Sequence, residues 1–299
     1  MEQREIGIVG AGRMGGNIAR RLREVGQRVA SVHDQDHALR DALAEEIGAR
    51  AATSPKEVAD TSDVVLTAVS DEASMEEIYR EGAGLLEGGR ATLFINTATI
   101  PPQVHIEVAR RARLRGRESL EACLLGTVPH ARAGTLYVLA AGDEQTFMRA
   151  KPLLEGISSF LRYVGAAGEA AKIKAIVNMV MDINVAGAAE GLGLGAALGI
   201  PSEVLVDALS HSAAASRALE THAKAMLDGA YGRFLTADYA AKDARIALDL
   251  ALEAGAFLPL ASAARGQFER MGEVGLGKED LSAVAQLTFP GRQGGPRPR

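Results

Sequence analysis

Two groups of residues have the types and the spacing to do chemistry. The first is Gly10-Ala11-Gly12-Arg13-Met14-Gly15, a GxGxxG that follows the apolar run Ile6 to Val9 and opens the amphipathic stretch Met14 to Val25. At such a strand-to-helix turn the first glycine permits the tight bend, the second lets the backbone approach a pyrophosphate, and the third lets helix and strand pack closely. Backbone N–H groups at the helix start attract the anion. The second group is Lys174 and Asn178, four residues apart in the apolar stretch Ala166 to Leu198. A helix places both on one face, where they can meet the same small ligand. Hydride transfer at a C–OH/C=O centre needs a group that exchanges the oxygen's proton. A partly buried lysine with a lowered pKa can do that, and an amide beside it can orient the lysine or hold the substrate.

A carboxylate supports the first group. Asp34 ends the run Ser31-Val32-His33-Asp34, about 20 residues past the turn, where an acidic side chain holds the adenosine ribose and repels a 2′-phosphate. This favours NAD, while His33 beside it and Arg28 nearby keep NADP open. The bland reading of Asp34 is that it caps a turn.

Elements must position these groups. The runs Ile6 to Val9, Val29 to Val32, Val64 to Val69, Thr92 to Ile95 and Leu120 to Leu125 read as strands buried on both faces. Helical stretches at Met14 to Val25, Pro55 to Ala59, Ser74 to Arg80 and Pro102 to Arg113 separate them, and that alternation predicts a parallel sheet wrapped by helices. Tyr137 to Ala141 and Phe160 to Val164 are further strand candidates. After Gly165 the helical stretches are Ala166 to Leu198, Pro201 to Leu209, Ala215 to Leu227, Ala237 to Ala254, Ala261 to Met271 and a short one from Asp280. The expected architecture is α/β: a Rossmann-type doubly wound sheet over residues 1–164, then an all-helical substrate and dimerisation domain over 165–289. Residues 290–299, rich in Gly, Pro and Arg, read as a disordered tail. The active site is expected between the two domains.

Composition narrows the partners. A chain of 299 residues with 47% hydrophobic and 24% charged residues has the balance of a folded globular protein. A net charge of −5 offers no basic face for nucleic acid or an anionic membrane. The acidic N-terminal residues do not read as a signal peptide, and a single cysteine, Cys123, implies no oxidising compartment, so a cytoplasmic protein is expected. Cys123 reads as core packing. His130, His211 and His222 lack metal-ligand spacing, so no metal site is expected. The arginines from Arg110 to Arg117 read as a solvated face at a helix end. The low charge of the Ala166 to Leu198 helix predicts that it also packs against a second copy, giving a homodimer or larger assembly.

The order of motifs resembles the β-hydroxyacid dehydrogenase family, which includes 3-hydroxyisobutyrate dehydrogenase and is related to the 6-phosphogluconate dehydrogenase N-terminal domain. The resemblance covers nearly the whole chain. Gly10 to Gly15, with Met14 inside it, is similar to the family's GLGxMG cofactor turn. Val69-Ser70 falls at its cofactor-contacting strand end, and Asn96-Thr97-Ala98-Thr99-Ile100-Pro101-Pro102 resembles its DxSTxxP stretch, with Thr99 near the nicotinamide. Gly126 to Leu136 is similar to the substrate-loop motif GGxxxAxxGTL. Lys242-Asp243 resembles the pair whose lysine closes over the cofactor, and Asp280 to Ala283 the terminal DxSA signature.

The resemblance implies reversible oxidation of a small hydroxy acid to its semialdehyde or keto acid, with NAD or NADP. Two registers compete for the catalytic lysine. Lys172 would leave Ala175 and Ile176 at the family's asparagines, whereas Lys174 keeps Asn178 at the second one, and Lys174 is chosen. Val177 replaces the first asparagine, and Leu125 falls where the family's substrate serine belongs. With Leu125, Gly126 and Thr127 lining the substrate, Gly126 backbone, Thr127 and Thr99 are the remaining donors. Asp182 and Asn184, polar on an apolar helix, suit helix pairing better than substrate contact. The rivals are an imine reductase-like enzyme, which resembles this fold and usually lacks the lysine, and a non-catalytic dinucleotide-binding protein.

Overall fold

A computed structural model describes residues 4–232 and 234–289; the tail expected at 290–299 lies outside the described residues. The chain divides into two compact units, Met1–Lys174 and Ala175–Arg299. The composition changes at Gly165, but the division falls later because the first turn of the next helix packs into the first unit. Ala170 and Ala171 are buried with Cys123, Leu139 and Ala141 of the sheet.

In chain order the first unit comprises β1 (Glu5–Val9), α1 (Arg13–Glu24), β2 (Arg28–His33), α2 (His37–Ile47), β3 (Arg50–Ala51), α3 (Pro55–Thr61), β4 (Val64–Thr67), α4 (Glu72–Ile78), β5 (Leu93–Asn96), α5 (Pro102–Leu114), β6 (Glu118–Leu125), α6 (Val128–Ala133), β7 (Leu136–Gly142), α7 (Glu144–Glu155) and β8 (Ser158–Tyr163). They form one eight-stranded sheet in the order β3-β2-β1-β4-β5-β6-β7-β8. The chain winds outward from β1 on one side, then returns to start again at β4. The strand order therefore reverses between β1 and β4, where an open α/β sheet leaves a crevice for ligand. Successive residues of each strand face opposite sides, and both sides are covered. Ile6, Ile8, Leu66, Ile95, Leu120 and Val138 share one core with α1, while Val9, Val65 and Phe94 share another with α3, α4 and α5. This double burial is why the strands read as unbroken apolar runs.

The sheet departs from the expected all-parallel arrangement at one pair. β6 and β7 run antiparallel, with Leu125 opposite Tyr137. The segment between Leu125 and Leu136 holds only the short α6, and a parallel crossover needs about a dozen residues or more. β8, at the sheet edge, is half exposed. The arginines at the end of α5 are also not simply a solvated face. Arg111 donates to the carbonyl of Tyr79, and Arg117 donates to those of Ala91 and Gly88. They satisfy backbone acceptors of the loop between α4 and β5, which would otherwise lack partners.

The second unit follows from α8 (Glu169–Ala197), whose first turn lies in the first unit. It continues with α9 (Ser202–Ser210), α10 (Arg217–Asp228), α11 (Ala237–Ala254), α12 (Pro259–Glu273) and α13 (Ala285–Thr288). Among the described residues it holds no strand, only an isolated bridge between Thr236 and Asp280. Val185, Leu192, Leu219, Met226, Phe268 and Met271 form its core. Asp280, the first residue of the DxSA stretch, is structural: buried, it accepts from Phe234 N–H at 2.6 Å and the Ser282 hydroxyl at 2.6 Å. By length and composition α8 could cross a membrane, yet Val185, Ala189 and Leu192 on it belong to this core. Core helices of folded proteins meet the same criterion.

Candidate active site

The glycine turn lies at the C-terminal end of β1, at the reversal point of the sheet. Gly10 has φ +97°, a conformation open to glycine, and a Cβ there would stand 2.5 Å from the carbonyl oxygen of Ala68, just past β4. A Cβ on Gly15 would stand 1.9 Å from the Gly10 carbonyl oxygen. Both glycines are thus required by the packing of β1, α1 and the segment after β4. Gly12 is different. It is the residue before α1, with φ −64° and no side-chain cap, and a Cβ there would meet nothing within 4 Å. The fold does not demand glycine at this position, but close approach of a diphosphate to the backbone would. The residues therefore fit a dinucleotide. Ala11 in the turn is buried, Met14 half-buried and Arg13 exposed.

Asp34 follows β2 directly. Its Oδ2 accepts from the Ala11 N–H at 2.7 Å and its Oδ1 from the Asp36 N–H at 2.8 Å. The carboxylate expected to hold the ribose therefore also caps the turn after β2 and is tied to the glycine turn. Arg28 stands at the opposite end of β2, paired with Glu5 at 3.0 Å, so it is not beside Asp34. His33 is engaged with the Ala52 carbonyl at 3.0 Å. Val69 and Ser70 lie just beyond β4, next to the Ala68 that packs on Gly10, with Ser70 donating to Asp71 at 2.9 Å. Thr99, half-buried, follows β5.

The proposed substrate segment continues β6. Leu125 is half-buried against the apolar cluster of Cys123, Leu139 and Ala141, and Gly126 has φ +127°. Thr127 precedes α6; its N–H donates to Nδ1 of His130 at 3.1 Å, and its hydroxyl lies 2.9 Å from the same atom. His130 is therefore a cap for this turn.

On α8 the two candidate lysines differ. Lys172 is exposed and pairs with Glu169 at 2.8 Å. Lys174 is half-buried, and its charge is felt at the buried Cys123 thiol. Asn178, one turn on and 4% exposed, donates from Nδ2 to Asp243 Oδ2 at 2.6 Å. Asp243 also pairs with Lys242 at 3.1 Å, and Lys242 lies 5.5 Å from the centre of the Tyr239 ring. The structure thus joins Asn178 to the Lys242-Asp243 pair within the second unit. Lys174 closes the first unit, with the glycine turn, Asp34, Thr99 and Leu125 to Thr127. Asp182 is fully buried and Asn184 exposed.

One residue stands out that the sequence reading did not single out. Glu121, 3% exposed in the middle of β6, accepts from the Gly168 N–H at 2.7 Å, from the Ala171 N–H, and from Cys123 Sγ at 3.5 Å. Burial pushes its carboxyl up to about 7 against the opposing effect of these donors, and the Glu169 charge adds to the rise. A lone carboxylate inside an apolar strand run was the available signal, since burial of such a group demands partners. His105, whose pKa burial lowers to about 4, completes a buried group in which donor atoms of His105, Glu121 and Cys123 lie within 4.8 Å of one another. Both Glu121 oxygens serve backbone N–H groups, so the cluster is assigned to holding α8.

Comparison with known proteins agrees with this geometry. A family model for the NAD-binding domain of 6-phosphogluconate dehydrogenase matches residues 5–165, and one for NAD-binding of NADP-dependent 3-hydroxyisobutyrate dehydrogenase matches residues 168–288. L-threonate dehydrogenase of Cupriavidus necator is 30% identical over 292 residues, 96% of this chain and 97% of that protein. 2-(Hydroxymethyl)glutarate dehydrogenase of Eubacterium barkeri is 28% identical, covering 95% of this chain and 94% of its own. The structure of 3-hydroxyisobutyrate dehydrogenase of Mycobacterium tuberculosis with L-serine superposes with a TM-score of 0.84 at 27% identity, covering 95% of this chain and 98% of that one. The chain belongs to the β-hydroxyacid dehydrogenase family of NAD(P)-dependent oxidoreductases.

The contrast between the glycines is testable. Gly15→Ala is expected to lose about 1–3 kcal/mol or more of unfolding free energy in urea, the range for an overpacked core. Gly12→Ala is expected to stay within about 0.5 kcal/mol of the parent and to weaken dinucleotide binding, titrated by nicotinamide fluorescence, by about tenfold or more. Unchanged affinity in Gly12→Ala would remove the turn from the cofactor site.

Proposed function

We propose that this chain interconverts a small hydroxy acid and its semialdehyde or keto acid, using NAD in preference to NADP, with Lys174 as the acid/base. The observation that carries the reading is the contrast on α8. Lys174 is half-buried on the face that holds the buried Asn178, whereas Lys172 is exposed and engaged with Glu169. A bound nicotinamide would supply or accept the hydride. In the reductive direction the Lys174 ammonium gives a proton to the carbonyl oxygen, and in oxidation the amine takes it back. Asp243 fixes the orientation of the Asn178 amide through the 2.6 Å bond, which suits that amide to hold the lysine or the substrate oxygen.

Three features refine the reading. The Asp34 carboxylate at the glycine turn, with Arg28 at the far end of β2, disfavours a 2′-phosphate. The three relatives compared above are named for threonate, hydroxymethylglutarate and hydroxyisobutyrate, which points to a hydroxy acid. Leu125, however, cannot hydrogen-bond a carboxylate, so Thr127 and Gly126 N–H are the candidate donors. The same leucine favours a second reading, reduction of an imine. The exposed apolar side chains Ile176, Val180 and Leu194 on α8 support a homodimer built on this helix.

The test is nicotinamide absorbance with both cofactors against 3-hydroxyisobutyrate, L-threonate, 2-(hydroxymethyl)glutarate, L-serine, succinic semialdehyde and a cyclic imine. Turnover of one of the acids or the semialdehyde is expected. Lys174→Ala should lower it about 10²–10⁴-fold, the usual worth of a general acid/base, with cofactor affinity retained. Full activity in Lys174→Ala, or turnover of the imine alone, would overturn the reading. Light scattering at micromolar concentration should give a dimer or larger; a monomer would contradict the assembly.

A further inference from the structure

We infer that Glu121 is a positioning residue for Lys174, a carboxylate in the substrate strand that holds the first turn of the helix carrying the lysine and so sets where the amine stands. The inference rests on the reading of Lys174 given above.

Three observations carry it. Glu121 is buried in β6, four residues before Leu125. Its two oxygens each accept a backbone N–H of the entry to α8, from Gly168 and from Ala171. Helix starts leave such N–H groups without intrahelical partners, and a side chain usually caps them from the preceding residue. Here the cap comes from a distant strand, so it fixes the helix to the sheet as well as starting it. Lys174 lies three residues beyond Ala171, about 4.5 Å further along the axis and on the same side. Any shift of the helix start therefore moves the amine with it. A displacement of about 1 Å of a reacting group can cost about 10²-fold in rate, so a rigid anchor at this place has a direct chemical consequence.

The charge state of the anchor matters. As a carboxylate Glu121 accepts strongly at both oxygens; when protonated, one oxygen becomes a hydroxyl, a poorer acceptor, and its contact to α8 is weakened. The ionisable groups around it are Cys123 on its own strand, His105 from α5 and Glu169 from α8, while Lys174 acts on the neighbouring Cys123. Burial holds the Cys123 thiol well above its usual range and the His105 imidazole at about 4. Both therefore stay neutral around pH 7, and Glu121, raised to about 7 mainly by burial, is the member that titrates there. The anchor is complete above that pH and weakened below it.

The experiment reads Lys174 without needing a substrate. Full-length protein is briefly acetylated with acetic anhydride from pH 5 to 10, and the modification of Lys174 and Lys172 is measured by mass spectrometry. Lys172, two residues away and exposed, is the internal control. In the parent, labelling of Lys174 is expected to show a step near pH 7, and labelling of Lys172 no such step. Glu121→Gln, which cannot ionise, should abolish the step and leave Lys172 unchanged. Cys123→Ser places a stronger donor on the carboxylate, stabilises its charged form and should move the step down by about one pH unit. An identical Lys174 profile in parent and Glu121→Gln overturns the inference, as does a change shared equally by Lys172, which marks general loosening. If Glu121→Gln fails to fold, the Cys123→Ser arm decides, and a step that does not move overturns the inference. Should Lys174→Ala keep full turnover while the labelling behaves as expected, the anchor stands and the catalytic reading falls.

Discussion

Backbone touches backbone at the glycine turn, and the geometry of the first unit depends on that contact. The Gly10 carbonyl leaves no room for a side chain on Gly15, and the Ala68 carbonyl leaves none on Gly10. This close approach seats α1 directly on β1 and brings the end of β4 against it. It also places the turn where the strand order reverses, with Asp34 reaching across from β2 to the Ala11 N–H. Steric exclusion shapes this proposed cofactor site: two glycines serve packing, and at the third, Gly12, the packing demands no glycine, which suits close approach of a ligand.

The other half of the chemistry depends on how α8 is joined to the sheet. The short connection through α6 forces β7 to return antiparallel beside β6, and β8 then leads into the loop before α8. The first turn of α8 packs its alanines, Ala170 and Ala171, onto that part of the sheet, with Glu121 beneath accepting from its N–H groups. One helix then carries Lys174 at the close of the first unit and Asn178 at the opening of the second. Asn178 is in turn held by Asp243, next to Lys242 on α11. The Asn178 amide thus has a neighbour that fixes it in place.

Much of this was legible in the residues, for identifiable reasons. Strands covered on both faces leave unbroken apolar runs, and β1, β2, β4, β5, β6 and β7 lie where those runs are. β3 is two residues long and leaves no pattern. The helices α2, α6 and α7 were not anticipated: α6 is only six residues long, and the polar starts of α2 and α7 resemble loop sequence. The direction of β7 could not be read from alternation alone, because a short helix separates β6 from β7 as longer ones separate the parallel pairs. The glycine turn, Asp34 and Lys174 could be proposed from sequence because each has a type and a spacing tied to a mechanism. Glu121 was not, because its partners are backbone groups from Gly168 and Ala171, and no side-chain pattern records them. Of the arginines at the end of α5, Arg110, Arg113 and Arg115 are exposed as expected, whereas Arg111 and Arg117 escaped the reading for the same reason, since they serve main-chain carbonyls.

The proposed reaction requires nicotinamide hydride and a carbon–oxygen centre to meet in this chain. The most direct measurement supplies reduced nicotinamide dinucleotide deuterated at the transferring position of C4, with succinic semialdehyde and short keto acids as acceptors, and weighs the product by mass spectrometry. Direct hydride transfer gives a hydroxy acid carrying one deuterium on the carbinol carbon. A product formed without deuterium, or cofactor bound with no acceptor reduced, would contradict it.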